Sequence, residues 1–431
     1  MQYLVSRWSN LNIELSRDTS SGASRYRDAI ASLYVALASL PEPLLQDYSG
    51  ITEEELTFGL SERAASVARG EVMVEVRGDD IETLLDAARL LRALEACAVE
   101  FTRYLESDIG ADLEEAWRTT DGNHYVIPRM TSLDTIDGKP FLRRALHHFR
   151  VLPTVVNGFG VRLHRHQTAR SSAAARLVRS DVPRSYGAAL FPNLKAELAF
   201  PDDKSFVVSR LSGCDCFAEI EKHLAYAKAN RCSGVVWGEL TVPQGELAAI
   251  SDALSENALE GCGALRYLVA GSWHREVDGV FRNVCQVLDG FGEPLFKVLK
   301  WAKFEVAGKR EAIVPGDEVH VLVDEGELSI VAVCRDFLQA TTDVPYLQLD
   351  VDLAIVPSMI IRAEDQGTML GHAATANTMR VRYGTRTLVV AQPAEPAEDV
   401  VGQVMDFPAK PLEAQHTDVC GNWHECLLAN S

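Results

Sequence analysis

The chain has 431 residues, 47% of them hydrophobic, and a formal net charge of −19. That length and apolar content suit about two domains with full cores, and the acidic balance argues against general binding to nucleic acid or to an anionic membrane. No apolar run reaches the roughly 20 residues of a membrane span. No leader pattern opens the chain and the nine cysteines are scattered, so a cytoplasmic protein with reduced thiols is expected.

In chain order, Arg27 to Leu40 and Glu53 to Arg69 read as helices, and Glu71 to Val76 alternates like a short strand. Ile81, Leu84, Leu85, Ala88, Leu91, Leu94, Ala98, Phe101 and Leu105 then recur at a helical period, with Asp79 or Asp80 as N-cap. Residues 1–150 contain no phosphate loop, Gly-rich fingerprint or repeat, so they are expected to form a mostly helical domain with no function legible in it. From Phe141 to Arg184 the charge inverts: Arg143, Arg144, Arg150, Arg162, Arg165, Arg170, Arg176, Arg179 and Arg184 face a single acid, Asp181. Residues 151–185 are therefore expected to be a basic linker docking on acidic surface, with His164 and His166 on its solvated face. A nucleic acid or acidic partner meeting Arg162 to Arg184 is the less favoured alternative.

Strand and helix patterns alternate from there. A strand near Ser205–Leu211 precedes a helix over Asp215–Asn230 whose apolar face is Phe217, Ile220, Leu224 and Ala227. Further strands are expected around 234–238, 267–272, 280–288, 319–323, 328–333, 352–356 and 387–391. Such alternation predicts α/β layers.

Two of these strands end on reactive side chains, and a third reactive residue lies between them in the chain. The apolar run Leu328 to Val333 stops at Cys334, Gly234 to Gly238 delivers Glu239, and Lys300 lies in Phe296-Lys-Val-Leu-Lys300-Trp-Ala-Lys-Phe304. A thiol, a carboxylate and an ammonium are enough to attack an acyl carbon without a metal. The thiol needs a base or a depressed pKa; Glu239 can take its proton and later activate water, and Lys300 can hold both the thiolate and an oxyanion. A helix starting just after Cys334 would add the Arg335 N–H as a second oxyanion donor and lower the thiol pKa through its dipole. Trp273, Trp301 and Phe337 are candidates to line the substrate pocket.

Glu239, Lys300 and Cys334, in that order, resemble the catalytic set of the nitrilase, or carbon–nitrogen hydrolase, superfamily. Phe281-Arg-Asn283 resembles its aromatic-x-Asn strand, and Asp289-Gly290 the turn after it. Lys300 to Phe304 resembles the lysine motif, whose aromatic spacing favours Lys300 over Lys297 and Lys303. Glu311-Ala-Ile-Val-Pro315-Gly316 resembles the stretch carrying a second glutamate. Cys334-Arg-Asp336 resembles the nucleophile motif, and Asp352 to Ser358 the strand that follows. The resemblance covers roughly residues 186–400 and departs at Arg335, where an aromatic is usual, and at Gly238, where a proline commonly precedes the acid. It implies a four-layer αββα sandwich over 186–431, hydrolysis of a small-molecule amide (a nitrile being second) with Glu239, Lys300, Glu311 and Cys334 as the catalytic set, Arg335 and Trp301 beside the substrate, no cofactor, and a homo-oligomer.

Two other classes stay open: a binding or regulatory module that keeps the layout without the chemistry, and a Cys–His hydrolase with His274, His320 or His372 as base. His416, Cys420, His424 and Cys426, with Asp418, have spacings a zinc ion can use, yet a cluster in a C-terminal tail reads first as a strand edge, so no metal is expected. Cys214-Asp215-Cys216 is a weaker candidate still.

Overall fold

The computed structural model describes residues 8, 11, 23–76, 80–105, 113–129, 141–166, 184–258, 265–324, 327–338, 344–362, 366–407 and 415–428. The chain divides into two units, Met1–Val155 with Glu325–Glu327 and Val156–Asp324 with Leu328–Ser431. Among the described residues no single helix is long and apolar enough to cross a membrane.

The first unit is built from helices α1 (Ala23–Ala38), α2 (Glu42–Gly50), α3 (Glu53–Thr57), α4 (Leu60–Ala68), α5 (Asp80–Leu105), α6 (Leu113–Trp117) and α7 (Phe141–Arg144). Strands β1 (His124–Pro128) and β2 (Phe149–Pro153) pair antiparallel within it. Leu84, Ala87, Ala88, Leu91 and Leu94 of α5 share a core with Ile30, Leu33 and Leu37 of α1, as the helical period requires.

Two expectations fail in this unit. The helix read over 53–69 is broken, because Gly59 takes a left-handed φ of +70° that only glycine adopts without strain. Residues 71–76 bury Val72 and Val74 in alternation but form no strand. Their backbone groups go to a turn and to side chains instead: the Glu71 N–H donates to the Ser66 carbonyl, Arg63 donates to the Met73 carbonyl, and the Glu75 N–H donates to Asp86 at 2.7 Å.

In the second unit the strands run β3 (Val155–Val156), β4 (Phe159–Arg165), β5 (Arg184–Ala189), β6 (Lys195–Asp202), β7 (Ser205–Ser212) and β8 (Gly234–Trp237). They continue as β9 (Tyr267–Val277), β10 (Val280–Asp289), β11 (Pro294–Leu299), β12 (Glu305–Val306), β13 (Lys309–Glu311) and β14 (Glu318–Asp324). The last are β15 (Glu327–Val331), β16 (Leu353–Ile360), β17 (Arg386–Pro393), β18 (Gly402–Phe407), β19 (Gln415–Val419) and β20 (Trp423–Leu428). The helices are α8 (Cys216–Ala229), α9 (Gln244–Ala258) and α10 (Gln366–Tyr383).

Three sheets result. A six-stranded sheet has the order β11-β10-β9-β8-β5-β20, an eight-stranded one β19-β18-β17-β16-β15-β14-β4-β3, and a small one β12-β13-β7-β6. Tyr186, Val236, Val269, Cys285 and Val298 of the first sheet share one core with Leu322, Val331, Ile355, Leu388 and Val404 of the second. The opposite face of the six-stranded sheet, with Val235, Trp237 and Leu268, packs on Ile220, Ala227, Leu247 and Ile250 of α8 and α9. The helix α10 buries Met369, Ala376 and Met379 and packs along β17 and β18.

The basic stretch is not simply a linker. Residues 159–165 are β4, parallel to β14, with Val161 and Leu163 buried at period two. The intervening arginines and histidines hide that strand pattern in the sequence. Arg162 pairs with Glu318 at 2.7 Å, Arg184 with Asp324 at 3.4 Å, and Arg144 is buried against the Tyr48 and Ser49 carbonyls. Neither histidine is on a solvated face: His166 is buried on Asp324, and His164 stacks on Phe296 with its pKa pushed down to about 4 by burial. Residues 167–183, with Arg170, Arg176 and Arg179, lie outside the described residues.

Of the apolar face expected for α8, Ile220 and Ala227 are buried, Leu224 packs half-buried on the same core, and Phe217 alone turns outward. Cys216 and His223 also point inward. His223 can be buried because Leu190 O and the Trp237 indole N–H satisfy its two ring nitrogens.

Candidate active site

The positions of Glu239 and Cys334 follow from where their strands stop. Glu239 follows β8, and its N–H donates to the Ser358 carbonyl of β16 at 3.1 Å. Leu240, next in chain, has a φ of +56°, and Cys334 itself has a φ of +45°. Non-glycine residues held in this region cost about 1–3 kcal/mol and persist only where the surroundings enforce them. The close packing of β9 contributes: a Cβ on Gly271 would lie 2.4 Å from the Gly238 carbonyl oxygen.

Lys300 is 1% exposed and is held between two carboxylates, with Nζ 2.7 Å from Glu239 Oε1 and 2.7 Å from Glu311 Oε2. Asn283 bridges the same pair through its amide, donating to Glu239 Oε1 at 2.9 Å and to Glu311 Oε1 at 3.0 Å. Glu311 also accepts from the Phe304 N–H at 3.0 Å and faces His274 Nε2 at 2.9 Å. The tautomer of His274 is fixed, because the Val208 N–H donates to Nδ1 at 2.8 Å and so leaves the ring proton on Nε2. Burial opposes ionisation of Glu311, but Lys300 and the His274 hydrogen bond outweigh it and hold its pKa below the usual carboxylate range. Burial likewise works against the Lys300 charge, and Glu239 with Glu311 overcomes it, raising the lysine.

The two glutamates are unequal. Among the described residues, Glu311 accepts two donors on each oxygen, whereas both bonds to Glu239 fall on Oε1. Glu239 Oε2 accepts no hydrogen bond among the described residues. An ammonium has three donors, and Lys300 spends two.

Cys334 is 3% exposed and sits in the core between the two large sheets. Ser358 Oγ donates to its Sγ at 3.3 Å, and the thiol reaches the Met359 carbonyl at 3.6 Å. No hydrogen bond joins Sγ to Glu239 or Lys300 among the described residues. Their influence is electrostatic: burial and then Glu239 push the thiol up to about 12, against the pull of Lys300 and Ser358. The sulfur at rest is therefore a thiol at neutral pH. No long helix follows it, only a 3-10 turn over Cys334–Phe337, so the expected dipole effect is absent. Arg335 lies in the first positions of that turn, where N–H groups lack intrahelical acceptors.

Asp336 ties the two halves together. Its carboxylate accepts the Trp301 N–H at 3.2 Å and the Ala302 N–H at 2.7 Å, fixing the segment after Lys300 onto the turn after Cys334. Burial raises Asp336 well above the ordinary range. The Trp301 ring tilts against Phe159, with centroids 5.2 Å apart, and Arg335 is half-buried; neither hydrogen-bonds to Glu239, Lys300, Glu311 or Cys334 among the described residues.

Of the three histidines weighed as bases, His274 serves Glu311, and His320 faces His164 at 2.8 Å. His372 meets the thiol only through Ser358, at 3.1 Å from its Oγ. The residues that sequence reasoning left without a role are Asn283, Ser358 and Asp336. Their signal was polarity inside apolar strands: Asn283 and His274 are cross-strand partners on β10 and β9, so both side chains reach one face. Of the residues weighed as zinc ligands, Cys420 follows β19 while His424 and Cys426 lie on β20, in a different sheet. The His416 side chain lies outside the described residues.

No family model matches the sequence, and no curated protein matches it. Solved structures do match. One is a glutamate-to-glutamine variant of the amidase from Nesterenkonia sp. AN1 with acrylamide added at its active-site cysteine, at 15% identity and a TM-score of 0.39, covering 56% of this chain and 91% of that chain. Another is a cysteine-to-alanine variant of a Nesterenkonia amidase described as from the nitrilase superfamily, at 18% identity and a TM-score of 0.38, covering 57% of this chain and 93% of that chain.

Proposed function

We propose that this chain is a thiol hydrolase of the nitrilase superfamily that cleaves a small-molecule amide through a thioester on Cys334. The observation that carries the proposal is the buried Glu239–Lys300–Glu311 bridge, with one carboxylate oxygen and one ammonium donor unspent, beside a strained thiol at a strand end. In this proposal the two large sheets with helices outside them form a four-layer αββα sandwich, residues 186–431 are catalytic, and residues 1–150 are a helical addition.

The steps follow from the unspent atoms. With substrate bound, Cys334 gives its proton to Glu239 Oε2 as Sγ attacks the acyl carbon. The third Lys300 N–H and the Arg335 backbone N–H hold the oxyanion. Collapse breaks the C–N bond, and Glu239 returns the proton to the departing ammonia or amine. Water, deprotonated by Glu239, then opens the thioester and restores the thiol. Glu311, saturated and ionised, positions Lys300 and transfers no proton.

The test is a panel of small primary amides with the Glu239→Gln variant and mass spectrometry of tryptic peptides. An acyl adduct on the Cys334 peptide is expected; an adduct on any other cysteine overturns the assignment. A second arrangement is favoured by the Ser358 contacts: His372 as base through Ser358. Burial pushes its imidazole down to about 3, so it would be neutral, and the relay requires the Ser358 hydroxyl to turn its proton from Sγ to His372 Nε2 while its oxygen accepts the proton of the thiol. Under that arrangement Glu239→Gln stays active and His372→Ala does not.

A further inference from the structure

Outside the catalytic cluster, two thiols approach each other. Cys214 Sγ and Cys216 Sγ are 3.2 Å apart. They line a pocket of about 420 Å³ together with Ser209, Arg210, Glu246 and Trp273. Cys214 is half-buried and Cys216 is 8% exposed. Cys216 is also the first residue of α8, whose N-cap Asp215 accepts the Ala218 N–H at 3.1 Å. The N-terminal end of a 14-residue helix favours a nearby negative charge, and a thiolate there is a better nucleophile than a buried thiol. The shared S–H hydrogen bond adds to this, since Cys216 lowers the Cys214 pKa while its own rises. Among the described residues no group of three His, Cys, Asp or Glu side chains is arranged to hold a metal ion, so the pair lacks the further ligands a zinc site takes.

We propose that Cys214 and Cys216 are a redox-active dithiol, separate from Cys334, which hydroperoxides convert into an intramolecular disulfide. The Cys214 thiolate attacks the terminal peroxide oxygen; the O–O bond breaks, the alcohol or water leaves, and Cys214 becomes a sulfenic acid. Cys216 Sγ then attacks that sulfur, the S–O bond breaks and water departs. Two thiols and one hydroperoxide give one disulfide, one alcohol and one water. A disulfide spans about 2.05 Å, so side-chain movement of about 1 Å closes the gap. Cys334 differs from Cys214 on both counts: it is sealed in the core, and its thiol is pushed up to about 12.

The experiment adds one equivalent of hydrogen peroxide to the full-length protein, followed by alkylation under denaturing conditions and peptide mass spectrometry. The peptide carrying both residues should lose the mass of two hydrogens and escape alkylation before Cys97 or Cys334 reacts, and dithiothreitol should restore it. In Cys216→Ser, Cys214 should instead hold a sulfenic acid that dimedone labels. Both thiols remaining alkylatable when Cys97 has already oxidised would overturn the proposal, and so would a sulfinic acid on Cys214 of the unaltered protein with Cys216 still free.

Discussion

Arg92 in the helical unit and Lys300 in the sheet unit are both buried cations held by two carboxylates. Arg92 pairs with Glu95 and Glu53, each at 3.1 Å, and its guanidinium also donates to the Arg144 carbonyl at 2.6 Å. Glu95 in turn accepts the His147 and His148 N–H groups, each at 2.8 Å. Those contacts close the chain around α5 on backbone atoms. Lys300 sits instead among side chains, and the bonds around it leave Glu239 Oε2 and one ammonium hydrogen unspent. Buried ion pairs often add little net stability after desolvation, so a cluster that keeps reactive atoms free points to use in chemistry, while a saturated one points to closure of a fold.

The largest test of that contrast is on turnover. Cys334→Ala should abolish amide hydrolysis with an unchanged circular dichroism spectrum. Glu239→Gln keeps the shape but cannot take the proton, and should slow both thioester formation and its hydrolysis by about 10²–10⁴. A near-normal rate in single-turnover assays would move the base role to His372.

Next comes the matched pair Arg92→Met and Lys300→Met. Each removes a buried cation from between two carboxylates, at a cost of about 3–5 kcal/mol in urea unfolding. Only Lys300→Met should also remove turnover per folded molecule. Loss of turnover in a folded Arg92→Met protein would break the comparison.

His274→Ala should cost less, about 1.5–3 kcal/mol for a hydrogen bond to a charged group. Because Glu311 is held below its ordinary value of 4.5, the stability it supplies is present above that pH and lost as pH falls beneath it. The stability gap between His274→Ala and the unaltered protein should therefore stay constant from neutral pH to about 4.5 and narrow only on acidification below it. A gap independent of pH would mean that His274 acts through packing alone.

The smallest effect is on labelling. With the Cys334 thiol raised from 9.0 to about 12, alkylation of the folded protein by iodoacetamide should be slow at neutral pH and rise about tenfold per pH unit beyond pH 9, because the thiolate is the nucleophile. The sign for stability is the opposite of Glu311: the raised thiol favours the fold below pH 9 and ceases to do so as pH climbs towards 12. A plateau near pH 9 would show an unperturbed thiol.

The strands were legible where β-branched residues run together, as in Val235-Val236 or Leu353 to Val356, because burial on both faces removes polar interruption. The strand Phe159–Arg165 was not, since a half-buried strand whose other face carries Arg162, paired with Glu318, and His164, stacked on Phe296, resembles a basic linker. Glu71 to Val76 failed the opposite way: alternation without a neighbouring strand gives buried valines but no ladder.

By itself the sequence determined the order of Glu239, Lys300, Glu311 and Cys334 and the places of Glu239 and Cys334 at strand ends, because chain stops and side-chain chemistry are local properties. Tertiary structure alone decided what each would do. Residues far apart in the chain set the proton on His274, saturate Glu311 but not Glu239, and place Ser358 so that its carbonyl holds the Glu239 peptide while its hydroxyl holds the thiol. Burial then turned an ordinary cysteine into a proton-holding one, an effect that depends on every layer packed around it.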